Sequence, residues 1–160
     1  MNHGTRIALV VSFVLLLFWS AYEIQKTQAG NQKEKTKEAV IQVLDNQRAA
    51  WNEGNLEEFM EGYWKSEELT FYSGNDIQHG WQATIERYRK RYQSEGKEMG
   101  KLAFDDVQVD LIGSDNALVR GRWELTLKDG TNPKGLFTLR FRRLPEGWRI
   151  VHDHTSAKPG

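Results

Sequence analysis

The sequence predicts an α+β domain in which helices come first and an antiparallel sheet follows, with one hydrophobic helix ahead of both. Three observations lead there. Between Glu38 and Tyr92 apolar residues recur at spacings of three and four, the period of a helix with one buried stripe. From Leu102 onward the pattern changes to alternation, in four runs separated by breaks rich in Gly, Pro, Asp and Asn. Within those runs one set of alternate positions is apolar and the other carries arginines, so the helices must cover the apolar face.

The hydrophobic segment is IALVVSFVLLLFWSAY, Ile7 to Tyr22, with Arg6 before it and Glu23 and Lys26 after. As a helix it would be about 24 Å long, a little short of the roughly 30 Å hydrocarbon core. Trp19 and Tyr22 lie at one end, where amphipathic rings favour the membrane interface. The expectation is a membrane anchor through residues 7–22. A cleaved signal peptide, with Thr27 and Ala29 as the small residues before a cut, is the alternative. Both leave a short basic N-terminus inside and the remainder translocated, membrane-anchored in one case and secreted or periplasmic in the other. A buried core helix is disfavoured because the segment is apolar on every face. Residues 1–29 are thus the anchor or signal segment, 30–37 (GNQKEKTK) a polar, structureless tether, and 38–157 one folded domain.

Inside that domain Val40, Ile41, Leu44, Ala49 and Trp51 mark the first helix, which Gly54 stops. Asn55 reads as an N-cap, with Glu57 and Glu58 in the first turn of a short second helix. Leu69 to Tyr72 is a short strand ending in the turn residues Ser73-Gly74-Asn75-Asp76. Trp81, Ile85, Tyr88 and Tyr92 place a third helix over 81–92, whose Arg87, Arg89, Lys90 and Arg91 form a solvated face within reach of headgroups if the chain is anchored. Strands are expected over 102–112, 117–127, 136–144 and 148–155, joined by hairpins into a meander.

Composition narrows the function. With 160 residues the chain holds one core, and no cysteine is present for disulfides, thiolate chemistry or sulfur-bound zinc. Lysine plus arginine number 22 and aspartate plus glutamate 22, so no net field favours nucleic acid.

The element order and three stretches, AAWNEGNLEEFMEGYW (49–64), HGWQATIERYRKRY (79–92) and GWRIVHDHTS (147–156), resemble the nuclear transport factor 2-like superfamily in its SnoaL-like and ketosteroid-isomerase-like branches. The last stretch is also similar to the association domain of calcium/calmodulin-dependent kinases. The resemblance runs from about Lys37 to Ser156. It implies a cone-shaped curved sheet wrapped around three helices, with a mouth, often dimeric through the sheet. It does not select among isomerases, dehydratases, cyclases, ligand-binding modules and oligomerisation domains. In the isomerase branch a carboxylate near the end of the first strand abstracts the proton. Here that stretch reads Thr70-Phe71-Tyr72-Ser73-Gly74 and has no acid.

His152 and His154 fall two apart on the last strand, on the side of Trp148 and Ile150 by alternation. One reading puts both imidazoles in the pocket, with Tyr63 as a catalytic partner and Tyr88 assisting. The other makes one a satisfied core histidine and the other part of a dimer seam. A metal would need a third ligand such as His79 or Asp76, and none is assigned; no cofactor is expected either. Trp51, Tyr63, Trp64 and Phe71 from the first half, with Tyr88, Trp123 and Phe137 after them, are the candidate lining of a pocket for a small apolar or aromatic ligand. Arg120, Arg122, Glu124, Arg140 and Arg142 form a charged sheet face expected to be a homodimer interface. The expected function is an extracytoplasmic ligand-binding or dimerisation module, with a dehydratase-, isomerase- or cyclase-type enzyme as the alternative.

Overall fold

The computed structural model describes the backbone of residues 3–157 and the side chains of residues 19–157. It comprises two compact units, Met1–Thr36 and Lys37–Gly160. Helix α1 spans His3–Glu53 without a break. Residues 30–37, read as a structureless tether, are therefore helical. Their Gln, Lys and Glu residues are good helix formers, and the single Gly30 costs only about 1 kcal/mol relative to alanine. Thr36 Oγ1 donates to Gln32 O at 2.8 Å along the same helix. In the first unit Trp19, Tyr22 and Ile24 are exposed. Among the described residues no helix is long and apolar enough to cross a membrane. Most of the 7–22 run lies outside the residues whose side chains are described.

In the second unit α1 ends where Gly54, at φ 79°, turns the chain left-handed and lets the Asn55 N–H reach Ala50 O at 2.9 Å. Asn55 then caps α2 (Leu56–Met60), its side chain accepting from the Glu58 N–H at 3.1 Å. Strands β1 (Thr70–Ser73) and β2 (Asp76–His79) form a hairpin, and α3 (Trp81–Tyr92) follows. Four long strands complete the chain: β3 (Lys101–Ile112), β4 (Asn116–Thr126), β5 (Lys134–Leu144) and β6 (Gly147–Ala157).

The six strands make one sheet in the order β2-β1-β6-β5-β4-β3. β3 to β6 form the expected antiparallel meander, and β1 joins its end by pairing parallel to β6. The sheet is curved and unclosed, the cone of the nuclear transport factor 2-like fold. Bulges help it bend. On β3, Asp106 and Val107 together face one residue of β4, and Asp106 adopts φ 52°. On β6, Val151 is the extra residue between the pairs Phe141–Ile150 and Arg140–His152. The concave face packs on the helices through Val119, Leu125, Leu139 and Phe141, which meet Leu44, Trp51, Phe59 and Ile85 in one core.

Candidate functional site

The bulge at Val151 decides which chemistry faces the core. In a regular strand Ile150, His152 and His154 would share a face. The added residue advances the phase by one, so Ile150 and Asp153 point inward while His152 and His154 point outward. Asp153 is 4 % exposed, whereas His154 is exposed and His152 half-buried on the outer face. A carboxyl thus takes the inward position that one reading gave to the two imidazoles, and neither histidine is a core residue. His152 instead lies 2.6 Å from Thr70 Oγ1 through Nδ1, and its ring meets the edge of Tyr72 at 5.0 Å.

Asp153 stands in register opposite Phe71, in the middle of β1. An acid is therefore present beside the short strand that has none of its own. It comes from the parallel neighbour.

A cavity of about 90 Å³ opens over this carboxyl. Trp51, Phe59, Phe71, Tyr88, Trp123 and Phe137 are among its walls, and Gln47, Ser73, Thr155 and Ser156 add polar points. The rings hold one another edge-on: Trp51 against Phe59 at 5.0 Å and Tyr92 at 4.9 Å, Phe71 against Tyr88 at 5.5 Å. Trp51 is fixed further by its indole N–H, which donates to Met99 O at 3.0 Å. Such packing gives preformed walls rather than side chains that must be ordered by a ligand.

At the carboxyl, the Tyr63 hydroxyl donates to Asp153 Oδ2 at 2.7 Å and lies 3.4 Å from the Tyr88 hydroxyl. Asp153 Oδ1 is buried and has no hydrogen-bond partner. Burial raises the Asp153 pKa from 3.8 to about 7, against the lowering effects of the Tyr63 hydrogen bond and of the Arg87 charge. Burial, and then the charge of Asp153, push the Tyr63 phenol well above its ordinary value, and the same causes push Tyr88 up. Both tyrosines are therefore neutral donors and acceptors at neutral pH. His152 is displaced downward by burial, then by His154 and Arg140.

Of the predicted lining, Trp51, Tyr63, Phe71, Tyr88, Trp123 and Phe137 come together around the cavity. Trp64 does not; it lies under the Arg142 guanidinium at 4.5 Å. Arg87 and Arg91, read as part of a solvated face, also line the cavity, Arg87 with only 13 % of its side chain exposed. On the sheet's outer face Arg120 pairs with Asp110 and Arg122 with Asp106, both on neighbouring β3, while Arg140 bonds to Asn116 at 3.1 Å. Glu124 is half-buried in the same β4 row, across from Lys134. Among the described residues no three His, Asp or Glu side chains are placed to hold a metal ion.

This architecture has recognisable relatives. The chain belongs to the SnoaL-like domain family, whose model matches residues 40–159. Among solved structures it is similar to a nuclear transport factor 2-like protein of unknown function from Shewanella oneidensis, at 34 % identity over 75 % of this chain and 98 % of that one, TM-score 0.69. A nuclear transport factor 2-like superfamily protein from Salmonella enterica shares 18 % identity over 80 % and 94 % of the two chains, TM-score 0.65. A candidate calcium/calmodulin-dependent protein kinase type II association domain from Thiobacillus denitrificans shares 22 % over 73 % and 93 %, TM-score 0.61. The last two share the fold. No functionally curated protein matches the chain.

Proposed function

We propose that this domain binds a small organic molecule in the aromatic cavity, with Asp153 as the polar group that orients it. The observation that carries the reading is the unpartnered Asp153 Oδ1, a buried oxygen on the wall of a preformed cavity. A buried polar atom left without a partner costs about 1–3 kcal/mol, a cost that a ligand able to donate or share a hydrogen there would relieve. The cavity volume of about 90 Å³ accommodates one small ring or a short chain. Native mass spectrometry of the full chain isolated from its own host tests the reading. A reproducible small-molecule mass that is lost in Asp153→Asn supports it. A chain that carries nothing, and takes up no member of a panel of small cyclic compounds, overturns it.

A second reading is favoured by the Asp153 pKa of about 7. A general acid-base works best with a pKa near the operating pH, and the free Oδ1 could take a proton from carbon while the Tyr88 hydroxyl donates to an adjacent carbonyl oxygen. That is chemistry of the dehydratase, isomerase or cyclase kind, carried by Asp153 rather than by His152 and His154. For any substrate found, a rate that does not titrate near pH 7, or that survives Asp153→Asn, removes this reading.

In the same proposal the 7–22 run anchors the domain outside the cytoplasm, and the arginine-bearing sheet face joins two copies. Alkaline phosphatase fused after residue 157 reports the topology, and an inactive fusion counts against it. Sedimentation of the full chain in detergent reports the second point, and a monomer at micromolar concentration counts against a dimer.

A further inference from the structure

Arg87 and Arg91 lie one turn apart on α3 and both border the cavity. Their guanidinium groups stack on the cavity's own rings, Arg87 over Phe71 at 5.0 Å and Arg91 over Tyr92 at 5.6 Å. Neither makes a side-chain hydrogen bond among the described residues. The nearest carboxylate to Arg87 is that of Asp76, 3.8 Å away and 70 % exposed, too far for a hydrogen bond. Arg87, held only by a long ion pair, and the solvent-exposed Arg91 therefore border a cavity whose only lining carboxyl is Asp153. Guanidinium donors select carboxylate-like oxygens, and the aromatic walls select a planar ring.

We propose that the ligand is a small cyclic organic acid, its anionic group held by Arg87 and Arg91 and its ring lying against the wall formed by Trp51, Phe71 and Tyr88, with its far side against Asp153. The proposal rests on the reading of the cavity as a ligand site and adds the charge of what enters it. It also assigns Asp153 a state. A bound anion disfavours a second negative charge nearby, so the complex holds the Asp153 proton. The groups facing that carboxyl agree with this. Tyr63, from the connection after α2, and Tyr88 on α3 are neutral phenols, and Arg87 on the same helix becomes occupied by the ligand. Phe71 of β1 and Leu139 of β5 bring no charge, and His152 and His154 on β6 point to the other face.

The test uses the full chain in detergent and three probes of one shape: benzoate, benzyl alcohol and benzylamine, titrated by calorimetry. Benzoate is expected to bind at least tenfold tighter than the other two. Arg91→Gln, an exposed position that leaves the fold intact, is expected to weaken benzoate about tenfold and benzyl alcohol by less than twofold. Arg87→Gln, checked for folding by its thermal transition, has the same expected pattern. Repeated at pH 8 in two buffers of different ionisation heat, benzoate binding takes up protons and does not in Asp153→Asn. If benzyl alcohol binds as well as benzoate, anion selection is wrong and the cavity reading survives. If benzylamine binds best, the carboxyl rather than the arginines sets the charge, and the proposal is overturned. If none of the three binds, the proposal falls together with the reading of the cavity as a site for one-ring ligands.

Discussion

Replacing Asp153 by asparagine should stabilise this protein at alkaline pH and do almost nothing in acid. The side chain keeps its shape and an acceptor for the Tyr63 hydroxyl, but it can no longer ionise. In the wild type the folded chain holds a proton up to about pH 7, whereas the unfolded chain releases it near 3.8. The folded state is then the one that binds more protons between these values, so stability falls as pH rises from about 4 to about 7 and is flat above. Lifting a carboxyl from 3.8 to about 7 corresponds to about 4 kcal/mol, an upper limit because relaxation and water entry soften the cost of burial. Urea unfolding of wild type and Asp153→Asn, followed by tryptophan fluorescence at half-unit steps from pH 4 to 9, measures the difference. The two curves should meet near pH 4 and separate by about 2–4 kcal/mol above pH 7, with the variant the more stable. A variant that is less stable by the same amount at every pH would refute the reasoning, because it would mean that the ionised carboxylate is well solvated or paired inside the fold.

Other perturbations follow from the same contacts. Tyr63→Phe removes the one donor to Asp153 Oδ2 and should cost about 1–3 kcal/mol, more at pH 8 than at pH 5; equal losses at both would argue against a charge-assisted bond. Gly135→Ala would drive a Cβ into the Ser156 carbonyl oxygen, so β5 and β6 must part there; a loss of about 1–3 kcal/mol is expected by thermal unfolding, and an unchanged midpoint would show that the strands separate freely. Arg89→Ala breaks an exposed pair with Glu57 at 2.7 Å and should change stability by less than about 1 kcal/mol, since solvent screens such pairs; a larger loss by urea unfolding contradicts this.

Much of the fold was legible because its signals are local. The third helix is bounded as its spacing predicts, from Trp81 to Tyr92, and the four long strands fall within a residue or two of their turn residues. β2 was not legible. Asp76–His79 is four residues long with Ile77 its one large apolar side chain, and that side chain is exposed, so no alternation exists to read. The continuation of α1 through 30–37 was hidden for the opposite reason: a polar stretch with no apolar period is equally compatible with coil and with a solvated helix.

The site was legible in its rings and not in its acid. Aromatic residues at core-facing spacing line the cavity wherever the helices and sheet curve around it, which is why six of the seven candidate rings border it. Asp153 was missed because a period of two was applied across Val151. A signal did exist: Ile150 and Val151 are consecutive apolar residues in an otherwise alternating run, the mark of an extra residue rather than of a face. Arg91 is exposed, as a solvated face requires, but Arg87 is largely covered; charge alone cannot distinguish a wet helix face from the rim of a cavity.

The single unpaired residue on β6 has a consequence for how such a pocket can change over time. Inner and outer chemistry differ here by phase and not by composition. Drawing Val151 into regular pairing would turn the segment from His152 to Ala157 over, offering two imidazoles to the interior and giving the carboxyl to solvent. A lineage could therefore exchange an acid for a base inside one cone without altering any of the residues that carry them. Relatives that share these side chains need not share their reactivity, and the geometry of one backbone kink would have to be compared before function is passed from one to another.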